Sequence, residues 1–340
     1  MADAIIAKAK SIYGKQLTRY DYNNLIYKNS ISGVVAYLKD TERYREVFRN
    51  INEAQIHRGQ VEQMLSKEVF ELYFKLCRFM SADKSSFCNY LIKETEVKQI
   101  ISALMYIKAK SADGYLLEMP AYLMDYISFD MMKLSKAGDY EQVLEVLADT
   151  PYCKVLRPIL TGSGSRDLEE CAVALYAWYI RCAFKAIGRN YKGREAKELK
   201  EIFTRQSDLS NIMLCYRKRS LFSEDTETIK KSLRSTHYLV TPAMLDEILA
   251  QPDADVQLLA LLKRIYFKSK INYDPENLEI SIHRYNYNYY KKQLSFTSNG
   301  TMALYSLMGL CEIERSNLQK IIEGARYNRL PSETEQLLVF

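Results

Sequence analysis

Three histidines, His57, His237 and His283, are the only imidazoles in 340 residues, and they stand far apart. A zinc site of the HExxH type needs two of them on one helix face, and an HxH site needs them closer still. Neither spacing occurs, so no metal site is expected. The seven cysteines, Cys77, Cys88, Cys153, Cys171, Cys182, Cys215 and Cys311, include no CxxC pair, and their number is odd. The expectation is therefore reduced thiols in a cytosolic protein. Phosphate chemistry fares no better. GSGS at Gly162–Ser165 lacks the Gly-Lys-Ser/Thr ending of a P-loop, and Gly14-Lys15 lacks the earlier glycine and the hydroxyl. Neither follows a plausible strand, which that mechanism requires. GSGS reads as a flexible turn, and it does not form the GxSxG elbow of a serine nucleophile. Carboxylate pairs abound, but without a pocket none stands out. No catalytic residue and no cofactor are expected.

Two tracts could touch nucleic acid. His283–Gln293, HRYNYNYYKKQ, interleaves Tyr with Lys and Arg, and such residues can stack bases. It serves equally as an amphipathic segment for a protein partner. Arg217-Lys218-Arg219 is the densest basic run and reads as a solvated helix end. The net charge of +6 is mild, and acids alternate with bases nearly everywhere. Nucleic acid is not the expected partner.

The elements that would position any site are helical. Gly (12) and Pro (7) are scarce, and an all-β chain would need many more for its turns. Apolar residues repeat at three and four in Val61, Met64, Leu65, Val69, Leu72, Tyr73 and Leu76. The same spacing links Ile100, Ala103, Leu104 and Ile107, and again Leu175, Tyr176, Tyr179, Ala183 and Ile187. The 27 tyrosines suit half-buried helix faces, apolar at one end and wet at the other. The N-terminus has no apolar core for a signal peptide. Residues 171–180 and 293–311 are the nearest approaches to a membrane span, and neither has the roughly 20 predominantly apolar residues required.

The chain also repeats itself. Leu-x-Asp-Thr occurs at Leu38–Thr41 and at Leu147–Thr150, each time with a Tyr shortly after. LLKRIYF, from Leu261, keeps the Leu and places Tyr266 where Tyr152 falls, but carries Lys263-Arg264 in place of Asp-Thr. An acid-x-x-amide-aliphatic pattern follows each copy, at Glu96, Asp208 and Glu314. The same loose pattern occurs at Asp21, Asp274 and Glu333, so order and spacing carry more weight than the motif. Units of about 110 residues fill the chain, at 1–112, 113–226 and 227–340. Asp40, Thr41, Asp149 and Thr150 read as a structural corner between helices. Thr150 precedes Pro151, which is the order of an N-cap followed by a first helical residue. Thr41 precedes Glu42, an acid suited to the positive end of a helix.

These residues resemble the C subunit of the V/A-type rotary ATPases, related to the d subunit of the eukaryotic vacuolar enzyme. The resemblance covers essentially the full length. It rests on the two LxDT corners, on DLSNIMLCYRKR from Asp208 and on EIERSNLQKIIEGARYNRLP from Glu312. One departure is Met105, which stands where the second repeat has Arg217. The resemblance implies an all-α funnel of three similar modules with pseudo-threefold symmetry. It also implies a non-catalytic socket on the cytoplasmic face of the membrane. Such a socket receives the D and F subunits of the shaft and passes rotation to the membrane rotor ring during ATP-linked ion transport. The alternatives are a helical-repeat adaptor, whose usual period of 34 to 47 residues is not seen, and a helical RNA-binding protein.

Overall fold

Helix starts are written into the chain as side-chain oxygens that accept the first free N–H groups. Ser30 caps helix Ile31–Asp40, Asp139 caps Tyr140–Val146, Asp167 caps Leu168–Asn190 and Thr241 caps Pro242–Leu249. Thr18 and Asp21 bond reciprocally at the start of Arg19–Leu25. The computed structural model describes residues 2–80, 88–111, 114–116, 119–162, 167–267 and 277–340. Every regular element among them is helical, so the protein is all-α, as its periodicities predict. The chain forms two compact units, Met1–Ala82 together with Phe267–Phe340, and Asp83–Tyr266.

In the first unit, helix Gly300–Tyr327 is packed by helices Ala2–Tyr13, Arg58–Cys77 and Leu278–Phe296. Its core joins Val34, Val35, Leu38, Tyr44 and Phe48 to Val61, Leu65, Leu318, Ile321 and Ile322. The stripe foreseen on Arg58–Cys77 is buried at Val61, Leu65, Val69, Leu72, Tyr73 and Leu76. Each such aliphatic side chain contributes about 1.5–3 kcal/mol of hydrophobic stabilisation. Gly309 lets helix Gly300–Tyr327 sit close against the Tyr290 ring, which a Cβ at that position would overlap.

In the second unit, helix Asn89–Lys108 lies against Leu168–Asn190, which also contacts Pro151–Leu160 and Gly193–Ser220. Helix Gly193–Ser220 in turn supports Ala254–Leu262. Aromatic edges fill the space between them: Tyr90 to Tyr179 at 6.2 Å, Tyr179 to Phe203 at 6.2 Å and Tyr152 to Trp178 at 4.8 Å.

Three long helices, Asn89–Lys108, Gly193–Ser220 and Gly300–Tyr327, are each followed by a residue in the left-handed region. These are Lys110, Ser223 and Asn328, with φ of 53°, 52° and 50°. After Lys110, the Ser111 N–H donates to Tyr106 O (3.0 Å), and after Asn328, the Arg329 N–H donates to Gly324 O (2.9 Å). Both bonds close a Schellman turn. Glycine is the usual residue at that position, and here it is absent from all three.

One expectation needs correction. Cys77 and Cys88 are disulfide-bonded, against the expectation of thiols throughout. Cys153, Cys171, Cys182, Cys215 and Cys311 are free. The turn expected at GSGS lies, from residue 163 on, outside the described residues.

Candidate functional site

Glu96, Asp208 and Glu314 are the acids of the repeated acid-x-x-amide pattern, and they are only 3 %, 0 % and 4 % exposed. A carboxylate so far from water must be held by donors. The same donor type serves all three. Tyr152 donates to Glu96 (2.5 Å), Tyr266 to Asp208 (2.5 Å) and Tyr44 to Glu314 (2.8 Å). These are the tyrosines that follow Leu147, Leu261 and Leu38. Glu96 and Asp208 are thus each clasped by a Tyr 56 or 58 residues further along the chain, and Glu314 by a Tyr 270 residues before it.

Backbone N–H groups complete each clasp. Ser128 donates to Glu96 and Leu17 to Glu314 (2.7 Å). Asp208 receives three successive groups, from Tyr238 (2.9 Å), Leu239 (2.8 Å) and Val240 (2.9 Å). The amide three residues later lies on the same helix face. Asn211 bonds both the N–H and the C=O of Arg234 (2.9 Å each), and Asn317 does the same at Val339 (3.0 and 2.7 Å). Gln99, in the first repeat, accepts from the Tyr115 hydroxyl instead (3.1 Å).

A cation stands beside each clasp. One turn before the acid, Arg205 lies over the Tyr266 ring (5.7 Å). Lys93, at the matching place, lies over Trp178 (5.3 Å), which meets Tyr152 edge-on. Cys311 holds that place in the last repeat, and Arg43 supplies the charge. Its guanidinium lies over Tyr44 (5.5 Å), grips Glu68 with two bonds (2.6 and 2.7 Å) and reaches Glu314 at 3.6 Å. Burial pushes the Glu314 carboxyl above its usual range, against the pull of Arg43. Burial likewise raises Glu68, and it raises Tyr44 with help from the Glu314 charge.

The foreseen corner residues lie beside these clasps. Asp40 and Asp149 are both exposed. Thr41 and Thr150 donate their hydroxyls back to Leu38 O and Leu147 O, at 2.7 Å in both. Thr41 also accepts from the Tyr44 N–H (3.3 Å), as a cap does. Thr150 occupies the N-cap position ahead of Pro151, but its side chain makes no cap bond there.

The clasps tie segments distant in sequence to one another. No group of His, Cys, Asp and Glu suited to a metal occurs among the described residues. His57 and His237 lie outside the core and far apart in sequence. Burial, and then the Lys320 charge, depresses His283. The aromatic–basic tract lies in helix Leu278–Phe296 and is occupied by packing. Tyr290 is buried, Tyr285 stacks on Tyr289 at 6.4 Å, and Tyr287 meets Tyr13 at 3.4 Å. In the basic run, Lys218 is buried between Glu169 (2.8 Å) and Glu224 (2.7 Å). No helix among the described residues is long and apolar enough to cross a membrane.

The family described as "ATP synthase (C/AC39) subunit" matches residues 5–337. The C subunit of the A-type ATP synthase of Methanosphaera stadtmanae is 21 % identical over 346 aligned positions, covering 98 % of this chain and 86 % of that one. The C subunit of the A-type ATP synthase of Desulfurococcus sp. (strain SY) is 24 % identical over 216 residues, which is 62 % of this chain. That match spans 55 %, about half, of the Desulfurococcus protein.

Proposed function

Because the chain belongs to the ATP synthase (C/AC39) subunit family, we propose that it is a non-catalytic central-stalk subunit of a V/A-type ATPase or ATP synthase. In this reading it is a socket on the cytoplasmic face of the membrane. It receives the D and F subunits of the shaft and couples them to the membrane rotor ring during ATP-linked ion transport. Three similar modules, the first two each carrying an LxDT corner, form its funnel.

The observation that carries the reading is the family match along nearly the whole chain. The clasps support it. The repeated acids, which in an enzyme would be the first candidates for proton transfer, are each engaged by a tyrosine of a distant segment. A torque-bearing part needs such internal ties more than it needs a reactive pocket. Mixed charge and many tyrosines suit an interface of shallow polar and aromatic contacts.

The test is co-expression with the D and F subunits of the same organism, capture on a tagged D, and sizing at low and high salt. A stable complex that loosens with salt is expected. Absence of binding both to D–F and to the isolated ring would overturn the assignment.

A further inference from the structure

We propose that a cleft in the first unit is a docking site for a carboxylate side chain carried on an apolar-flanked segment of a protein partner. The cleft encloses about 280 Å³, where the residues after helix Arg19–Leu25 meet the end of helix Gly300–Tyr327. Lys28 and Arg329 line it, and its lining contains no acidic residue. Its charge therefore calls for an anion.

Arg329 carries the argument further. Its Nη1 is buried and has no hydrogen-bond partner among the described residues. A buried guanidinium nitrogen left without an acceptor is costly, and an incoming carboxylate would satisfy it with a strong charge-assisted bond. The backbone there is fixed: Asn328 takes the left-handed conformation and the Arg329 N–H bonds Gly324 O. The backbone that carries the guanidinium is thus held before any partner arrives.

The rim indicates which kind of anion. Tyr27, Tyr327 and Leu330 are 68 %, 63 % and 60 % exposed, and each lies beside a residue of the cleft lining or within it. Tyrosine and arginine together, with an apolar neighbour, are the composition of protein interface anchors. A membrane surface would favour cations standing out into solvent. Here the unsatisfied nitrogen is recessed, which suits a single side chain reaching in.

A fluorescent peptide with one Glu flanked by Leu and Phe would be titrated against the full chain, beside its Gln analogue, at low and high salt. The Glu peptide is expected to bind, with salt weakening it, and the Gln peptide to bind about tenfold less well. Arg329→Gln should weaken the Glu peptide by a similar factor, with Lys28→Gln as the second variant should the first fold poorly by circular dichroism. Phosphatidylglycerol vesicles in a flotation assay should not retain the chain. The proposal fails if the Glu peptide does not bind, if the two peptides bind alike or if folded charge variants bind unchanged. It also fails if the vesicles retain the chain.

Discussion

The Tyr44 hydroxyl donates to the Glu314 carboxylate at 2.8 Å across a sequence separation of 270 residues. Tyr152 and Tyr266 make the same bond to Glu96 and Asp208, across separations of only 56 and 58 residues. Three tyrosines, each a few residues after one copy of the same leucine pattern, thus do one job.

Removing a single hydroxyl tests that equivalence. Tyr44→Phe leaves a buried carboxylate short of one donor, and a bond to a charged group is worth about 1.5–3 kcal/mol. Urea unfolding should show a loss of that size, with Tyr152→Phe and Tyr266→Phe moving in the same direction. A midpoint unchanged in all three variants would mean that the clasps hold nothing.

The amides should matter in their own right. Asn317→Ala removes both bonds to Val339 and leaves its backbone groups buried without partners. A cost of about 2–3 kcal/mol is expected, with faster amide exchange at Val339. Asn211→Ala should do the same at Arg234. Slow exchange retained at Val339 would contradict this role.

Acid should strengthen the Glu314 site. Burial raises the folded pKa of Glu314 and Glu68 above the ordinary carboxylate value of 4.5. Such a group contributes stability that is complete below the unfolded pKa and is lost as pH rises through the folded one. Glu314→Gln removes that contribution. The difference in unfolding free energy between wild type and variant should therefore change in the variant's favour as pH rises above the ordinary carboxylate value of 4.5. A pH-independent difference would show that Arg43 has cancelled the burial.

The left-handed caps offer a stabilising change. A side chain in that region costs about 1–2 kcal/mol, which glycine avoids. Lys110→Gly and Ser223→Gly should each raise the melting temperature, and Asn328→Gly should raise it less, because asparagine tolerates the conformation. A lower melting temperature for Lys110→Gly would point to a contact made by its side chain.

The helices were legible because burial leaves a periodic trace, as at Val61, Leu65, Val69 and Leu72. The repeated acids were also visible, but their meaning was not. Asp21 and Glu333 carry the same short pattern, and neither is fully buried. Only the fold separates them from Asp208. The partner of Glu314 was further hidden by distance and by a substitution of roles, since Cys311 holds the place of Arg205 while the charge comes from Arg43. At the corners, Thr41 and Thr150 were singled out for their hydroxyls, and both hydroxyls bond the Leu three residues before. That choice is made by packing around Leu38 and Leu147, which local propensity does not describe.

Glu314 clasping Tyr44 also sets an order on synthesis. A ribosome releases residues 1–82 first, yet the helix that completes their core, Gly300–Tyr327, emerges only after residues 83–266. Residues 83–266, one compact unit, are complete much sooner. The middle of the chain can therefore fold while the protein is still being made, and the beginning must wait for the end. Until then Val34, Val35, Leu38 and Phe48 remain without the surface that covers them, and a chaperone would find its client there.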